Sequence, residues 1–494
     1  MSNKRIIYCA IILIFLGFFL LRIINLTALP IFNDESTYIR YGMHQLNEPD
    51  HQPYSLLIGK EPLDPYLYAF VGTMIGNLLV GGRIVTIVFG FLTLLGLYRL
   101  TKTLFGTRAA LFVSALYAIA PYTVFFDRLA LMDSSVSTIA VWSLLLTYQL
   151  LQKPQWRYGI ALGVIVGLGM WIKTSALFYV FLPVLGYIIF YFSHGDKEWI
   201  KAKRFFSALL IALVVFLPLF SNPFYAVHMQ LLSQYTYPLY TVFLFPFPVW
   251  WNNLASTGEW LFFYLTPPIF LLAVTSLILL TKNKKAFLVL LWFYLPMLYE
   301  ILYAKLFTSR HVLLLTIPLF ILAGYGFSLL WQKKQLLGIA LALCIIGWSL
   351  YDVGVLLTSP QRYPSLFADK AEADVSQYFF GFSSGYGVSE AINYLKQASA
   401  NQRIVVLIRN DHGNPEDAVV AYLDYTSNII LAPMPDPASD VPVVFQKVGS
   451  SMPIYFVSRG GYYAGLEKYF VSEKKFTKPH DTEFVGVERL RPRP

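Results

Sequence analysis

The residues best suited to chemistry in this chain begin with the adjacent carboxylates of IFNDESTYIRYG, Asp34 and Glu35. Asn33 can cap a helix whose first turn holds both acids, where the helix dipole favours them. Adjacent helical residues point about 100° apart, so at most one carboxylate faces a given cavity while the other caps or pairs. Capping alone would account for the pair; the chemical alternative is that Asp34 takes a proton from a reacting group. A second group is cationic: Lys60, Arg128, Lys173 and Arg310, the last followed by His311. A phosphate would give them a reason to be there, because a cation about 4 Å from a phosphate charge gains roughly 4 kcal/mol at an effective dielectric of about 20. The plain alternative is that each lysine or arginine snorkels to an interface. Asp133, ahead of the serine-rich start of DSSVSTIAVW, either caps a helix or supports these cations.

The elements that must position these residues follow from composition. Of 494 residues, 56% are hydrophobic and 13% charged, and the mean hydropathy is +0.56. Soluble cores stop growing at roughly 250 to 300 residues, whereas apolar runs of spanning length recur here through the first 350 or so positions. The chain is therefore expected to be an all-α polytopic membrane protein. Its net charge of +10 does not point to nucleic acid, because residues 1–352 carry 24 Lys+Arg against 13 Asp+Glu and residues 353–494 carry 14 against 15. The excess belongs to the membrane part, where cytoplasmic loops collect Lys and Arg. Cys9 and Cys344 both lie in apolar runs, which leaves no disulfide framework or cysteine metal site.

MSNKR precedes an apolar run from Ile6 to Ile24 that is too long for a signal-peptide core and reads as an uncleaved first span. Basic clusters at Lys4/Arg5, Arg99/Lys102/Arg108, Lys153/Arg157, Lys197/Lys201/Lys203/Arg204, Lys282/Lys284/Lys285 and Lys333/Lys334 fall in every second inter-span segment, which makes those segments cytoplasmic. The spans this implies are 6–24, 80–98, 109–124, 134–151, 158–173, 175–192, 205–221, 260–280, 286–303, 311–330 and 336–352. About eleven transmembrane helices put the N-terminus in the cytoplasm and the C-terminal tail outside a cell membrane. Residues 66–79 are apolar but too few to span before Gly81-Gly82, and read as a re-entrant or interfacial helix.

The expected division is a transmembrane domain, 1–352, with external loops 25–65 and 222–259, and an extracytoplasmic α/β domain, 353–494. In the tail, GVSEAINYLKQ reads as a helix and RIVVLIR, NIILA, PVVFQKV, PIYFVSR and EFVGVERL as short strands.

In order along the chain, six segments resemble glycosyltransferase family 39, the lipid-linked-sugar-dependent transferases that include protein O-mannosyltransferases and the aminoarabinose transferases of lipid A. They are NDESTY, GKEPLDPYLYAF, GGRIVTIVFGFLTLLGLYRLTKTLFG, DRLALMDSS, GLGMWIKTSALF and FTSRHVLLLTIPLF. Three positions depart from the pattern: Glu61-Pro62 stands for Pro-Pro, Arg310-His311 for Arg-Tyr, and Lys173-Thr174 inverts a Thr-Lys pair. The resemblance implies a GT-C architecture and an inverting glycosyltransferase that uses a sugar on a polyprenyl or dolichyl monophosphate, with a protein hydroxyl or a glycolipid as acceptor. Carried over, Asp34 is the catalytic carboxylate and Glu35 orients it or binds acceptor. Lys60 and Arg128 hold the donor phosphate, Arg310 and Lys173 add positive charge, and Asp133 and His311 support them. The resemblance implies no cofactor; a divalent ion, as in related oligosaccharide transferases, would have to find ligands in Asp34, Glu35, His44 and His51.

Two other classes compete on the residues themselves. A transporter or flippase of lipid-linked sugars would place charge near the midplane and show related halves. Only Glu300 lies well inside an apolar run, and no halves match. A non-catalytic envelope scaffold leaves the cations at 60, 128 and 310 without a role.

Overall fold

The structure is a computed structural model that describes residues 2–191, 198–280, 284–366, 372–409, 413–424, 426–434, 452–460, 469–479 and 483–491. The chain forms two compact units. The first comprises Met1–Ile24, Gln52–Asp64 and Arg83–Leu357, and the second Asn25–His51, Pro65–Gly82 and Thr358–Pro494. Both are discontinuous in sequence, so they do not follow a single cut after residue 352. Hydropathy separates apolar from polar stretches, but it carries no information on which polar stretches fold together.

Among the described residues, seven helices are long and apolar enough to cross a membrane: Lys4–Ile23, Leu78–Phe105, Met132–Gln152, Trp199–Phe220, Ala286–Tyr303, Ser309–Lys333 and Gln335–Thr358. An eighth would be the pair Phe247–Tyr264 and Pro267–Ile278, bent by 119°. The expected straight span 260–280 is thus broken in two. Pro267 and Pro268 bring no backbone N–H, and Thr266 takes a φ of 71°, which no α-helix tolerates. Eleven crossings would need three shorter apolar helices as well, Thr107–Ile119, Trp156–Ile172 and Thr174–Ile189. The apolar stretch before Gly81 forms helix Leu63–Ile75, separated by a short turn from helix Leu78–Phe105.

Met132–Gln152 and Ser309–Lys333 are the central helices of the first unit, each with 89% of its most apolar window buried, whereas Lys4–Ile23 has 11%. One ion pair ties that peripheral helix to the core. Arg22 Nε donates to Asp127 Oδ2 at 2.9 Å, and both side chains are essentially inaccessible. The remaining valence is filled, with Ser134 Oγ donating to Asp127 Oδ1 at 2.8 Å, Tyr117 Oη to Oδ2 at 3.1 Å, and Arg22 Nη1 to the Ala118 carbonyl at 3.0 Å. Buried charges persist only when paired and hydrogen-bonded in this way.

The second unit carries a five-stranded mixed sheet of order β2-β1-β3-β5-β4. Its strands are β1 (Ile404–Arg409), β2 (Ile429–Met434), β3 (Ile454–Arg459), β4 (Phe470–Thr477) and β5 (Phe484–Leu490). β2, β1 and β3 run parallel, and β5 and β4 are antiparallel additions. β1 and β3 are uninterrupted apolar runs because they are covered on both faces. Four of the expected strands are present; PVVFQKV lies outside the described residues. β4 was not legible, since FVSEKKFT is largely solvent-exposed, with lysines that protect a sheet edge rather than a buried pattern. The expected tail helix is Val388–Ala398.

Candidate active site

Some of the candidate residues lie in one compact unit and some in the other. In the first, the 3-10 helix Tyr54–Ile58 ends at Gly59, whose φ of 74° belongs to the left-handed region. A Cβ there would also meet Leu231 Cβ at 3.2 Å, so glycine fixes the turn that presents Lys60. The Lys60 ammonium sits 4.5 Å from the centroid of the Tyr235 ring. Helix Phe224–Leu231 braces this turn: the Tyr54 and Phe224 rings are 5.7 Å apart, and Asn222 Nδ2 donates to Gln52 Oε1 at 2.9 Å.

Lys173 follows helix Trp156–Ile172, where the backbone turns extended. Its ammonium donates to Asp133 Oδ1 at 2.6 Å. Asp133 is therefore not the cap of its helix; Leu131 holds that position and Asp133 lies within the first turn. Arg310 and His311 open the 3-10 helix Ser309–Leu315, which is anchored where Tyr122 Oη donates to the Ser309 carbonyl. Lys173, Arg310 and Lys60 all lie near enough to the His311 ring for their charges to act on it, and Lys173 and Asp133 act on Glu300 with opposite signs. Three of the four expected cations, from three distant segments, thus lie within electrostatic range of one ring. Such a cluster can hold an anion.

Arg128 stands apart from them. Its Nη1 donates to the carbonyls of Leu21, Arg22 and Ile24 at 3.2, 2.9 and 2.7 Å. It closes the C-terminal end of helix Ser2–Ile23, whose last carbonyls lack intrahelical partners. Burial pushes its guanidinium pKa below the ordinary value, with the charges of Arg83 and Arg22 acting in the same direction. The spacing of DRLALMD could not separate this capping task from phosphate binding.

Two of the departures from the family pattern meet in space. The Thr174 hydroxyl donates to Glu61 Oε1, and His228 Nε2 lies 3.5 Å from the same oxygen. Glu61 and His228 are 3% and 1% exposed, so this polar contact is buried inside the fold. His228 was not singled out from sequence; its only signal was a polar residue in an aromatic external segment. A double-mutant cycle with Glu61→Gln and Thr174→Val is expected to show a coupling of about 1.5–3 kcal/mol, the range for a hydrogen bond to a charged group. Thermal unfolding in detergent measures it, and strict additivity would break the link.

In the second unit, helix Asn33–Asn47 starts one residue earlier than an Asn33 cap would require, with Phe32 in the capping position. Glu35 Oε2 accepts the Phe32 N–H at 2.8 Å, and Glu35 is fully buried. Glu35 is therefore the capping member of the pair. Asp34 is half-buried, and its Oδ1 accepts Asn33 Nδ2 at 3.2 Å. The candidate metal ligands are dispersed: Glu35 caps, His44 faces Glu48 at 3.5 Å, and His51 Nδ1 lies 3.1 Å from the Gln45 carbonyl. Among the described residues no three His, Cys, Asp or Glu side chains gather as a metal site requires.

Residues 59–221, which include Lys60, Arg128, Asp133 and Lys173, match the model of the dolichyl-phosphate-mannose-protein mannosyltransferase family. No curated protein matches the sequence. ArnT from Cupriavidus metallidurans bound to undecaprenyl phosphate is similar over 99% of this chain and 98% of its own, with a TM-score of 0.62 at 13% identity. The apo state of that protein gives 0.59 at the same coverage and identity. The apo oligosaccharyltransferase of Archaeoglobus fulgidus gives 0.51 at 12% identity, over 92% of this chain and 69% of its own. At such identities the likeness is one of fold. The match over residues 59–221 and the shared whole-chain architecture mark this protein as a multi-pass membrane glycosyltransferase with the fold of these structures.

Proposed function

We propose that the protein moves a sugar from a polyprenyl or dolichyl monophosphate to a hydroxyl of an extracytoplasmic protein or glycolipid, with inversion at the anomeric carbon. The observation that supports the donor assignment is that Lys60, Lys173 and Arg310, from three distant segments, all lie within electrostatic range of His311. Displacement at the anomeric carbon breaks the bond to the phosphate oxygen and leaves its electron pair on a phosphate dianion. Fixed cations stabilise that charge as it develops. The acceptor oxygen forms the new bond from the opposite face, and Asp34 takes its proton. Glu35, committed to its cap, acts by holding the first turn of the Asp34 helix. Arg128 secures the end of the first helix through Nη1, and its remaining guanidinium donors are assigned to the donor phosphate. Asp133 orients Lys173, and His311 lies among the cations. The clusters of Lys and Arg put the N-terminus in the cytoplasm and the sheet-bearing tail outside.

The test is transfer of labelled sugar from a panel of polyprenyl-phosphate sugars in vesicles that contain the protein and endogenous membrane acceptors. Label is expected to move from at least one donor, and the molecule that receives it identifies the acceptor class. No transfer from any donor, while a family member in parallel vesicles transfers, would overturn the proposal.

A further inference from the structure

The Asp34 carboxylate is reached by a chain of hydrogen bonds that begins in the C-terminal tail. The backbone N–H of Asn414, which can only donate, gives its hydrogen to Asn33 Oδ1 at 2.8 Å. That bond settles the orientation of the Asn33 amide, because an N–H cannot face the Nδ2 end. The NH2 group is thereby turned toward Asp34, where Nδ2 donates to Oδ1 at 3.2 Å. The tail segment is itself held against the same helix. Asp417 accepts Thr37 Oγ1 and Arg40 Nη1, both at 2.5 Å, and also the N–H of Gly413 at 2.6 Å. Asn414 Nδ2 donates to the Ile31 carbonyl at 2.9 Å and to the Ser383 carbonyl at 3.2 Å. The Asp417 carboxylate is fully buried, so its partners are part of the fold and not an optional surface pair.

Gly413 makes the approach possible. Its φ is 97°, and a Cβ built there would lie 1.9 Å from Asn33 Oδ1. Only glycine lets the tail backbone come this close to the Asn33 side chain.

We infer that the tail segment 413–417 is a positioning device for the transfer reaction: through Asn33 it fixes the rotamer of the Asp34 carboxylate. The α/β unit then contributes to turnover itself, beyond any part in binding acceptor. The inference rests on the assignment of Asp34 as the group that takes the acceptor proton. A carboxylate held within a fraction of an ångström of its productive position is what separates a fast general base from a slow one.

Two variants separate positioning from folding. Asn33→Asp is nearly isosteric, keeps an oxygen to accept the Asn414 N–H, and replaces the donor that faces Asp34 with a second carboxylate oxygen. Gly413→Ala leaves Asn33 intact and forces its side chain away. Both are expected to lower kcat by about tenfold or more, in the range typical of a misplaced catalytic group, while the KM for the lipid-phosphate sugar stays within about twofold. Tyr394→Phe, which removes a surface bond to Glu473 elsewhere in the unit, is expected to leave both constants unchanged. Asp34→Asn is measured in parallel. If it is inactive while Asn33→Asp turns over at the wild-type rate, the relay is wrong and the Asp34 assignment stands. If Asp34→Asn is active, the assignment and the relay fall together. Should Gly413→Ala not fold, Asn33→Asp alone decides. A rise in donor KM at constant kcat in either folded variant also overturns the relay.

Discussion

Asp34→Asn is expected to insert and unfold as the wild type does and to lose transfer to a hydroxyl acceptor by about 10²- to 10⁴-fold, the range over which a positioned general base contributes. The amide keeps the volume and can still accept the Asn33 bond through its oxygen, so the packing around a half-buried position changes little. What disappears is the capacity to accept the proton that leaves the acceptor hydroxyl as its oxygen bonds to the anomeric carbon. Glu35 cannot substitute, because its carboxylate is buried and bonded to the Phe32 N–H. Single-turnover transfer from a labelled lipid-phosphate sugar measures the loss, and wild-type turnover by this variant would remove the base assignment. A smaller loss is expected where the acceptor nucleophile is a phosphate, which needs no base; Asp34 then mainly orients the groups.

Lys60→Ala should lower kcat/KM for the donor by about 10²-fold, comparable to the loss of one group aimed at developing negative charge. Lys60 offers the cleanest test of the phosphate site. Lys173 is tied to Asp133 at 2.6 Å, so its removal would also leave a carboxylate largely buried and unpaired, a separate penalty. Lys60 instead rests over the Tyr235 ring, and its replacement by alanine leaves the Asp133–Lys173 pair in place. The effect should weaken as salt rises in the wild type and be less salt-dependent in the variant. Donor saturation curves at two ionic strengths check both statements, and unchanged donor dependence would remove Lys60 from the phosphate site.

Sequence reading was strong where burial in lipid constrains composition and weak where a polar residue had to choose among partners. Apolar runs of spanning length announce helices because a membrane interior admits no unsatisfied backbone. The same rule did not reveal the 119° break within 260–280, since Pro267 and Pro268 interrupt hydrogen bonding without reducing hydropathy. Uninterrupted runs such as IVVLI announced β1, whereas the exposed edge strand Phe470–Thr477 offered no period to read. Asp34 and Glu35 were found as a pair by type and spacing. Which one caps was set by the turn at Phe32.

By itself the sequence determined a multi-span helical protein with a small α/β tail, a charge bias along the chain, and a short roster of acids and cations, whose link to sugar transfer from a lipid phosphate is what the family resemblance implies. Those conclusions depend only on residue type and local order. The tertiary structure decided that Arg128 bonds the end of the first helix, that Lys60, Lys173 and Arg310 come within electrostatic range of one histidine, that Thr174 bonds Glu61, and that Asn414 reaches Asn33 across 381 positions of chain. Each is a choice of partner made between segments far apart in sequence. A polar side chain advertises the bonds it can make, and only the packed fold determines which of them excludes the others.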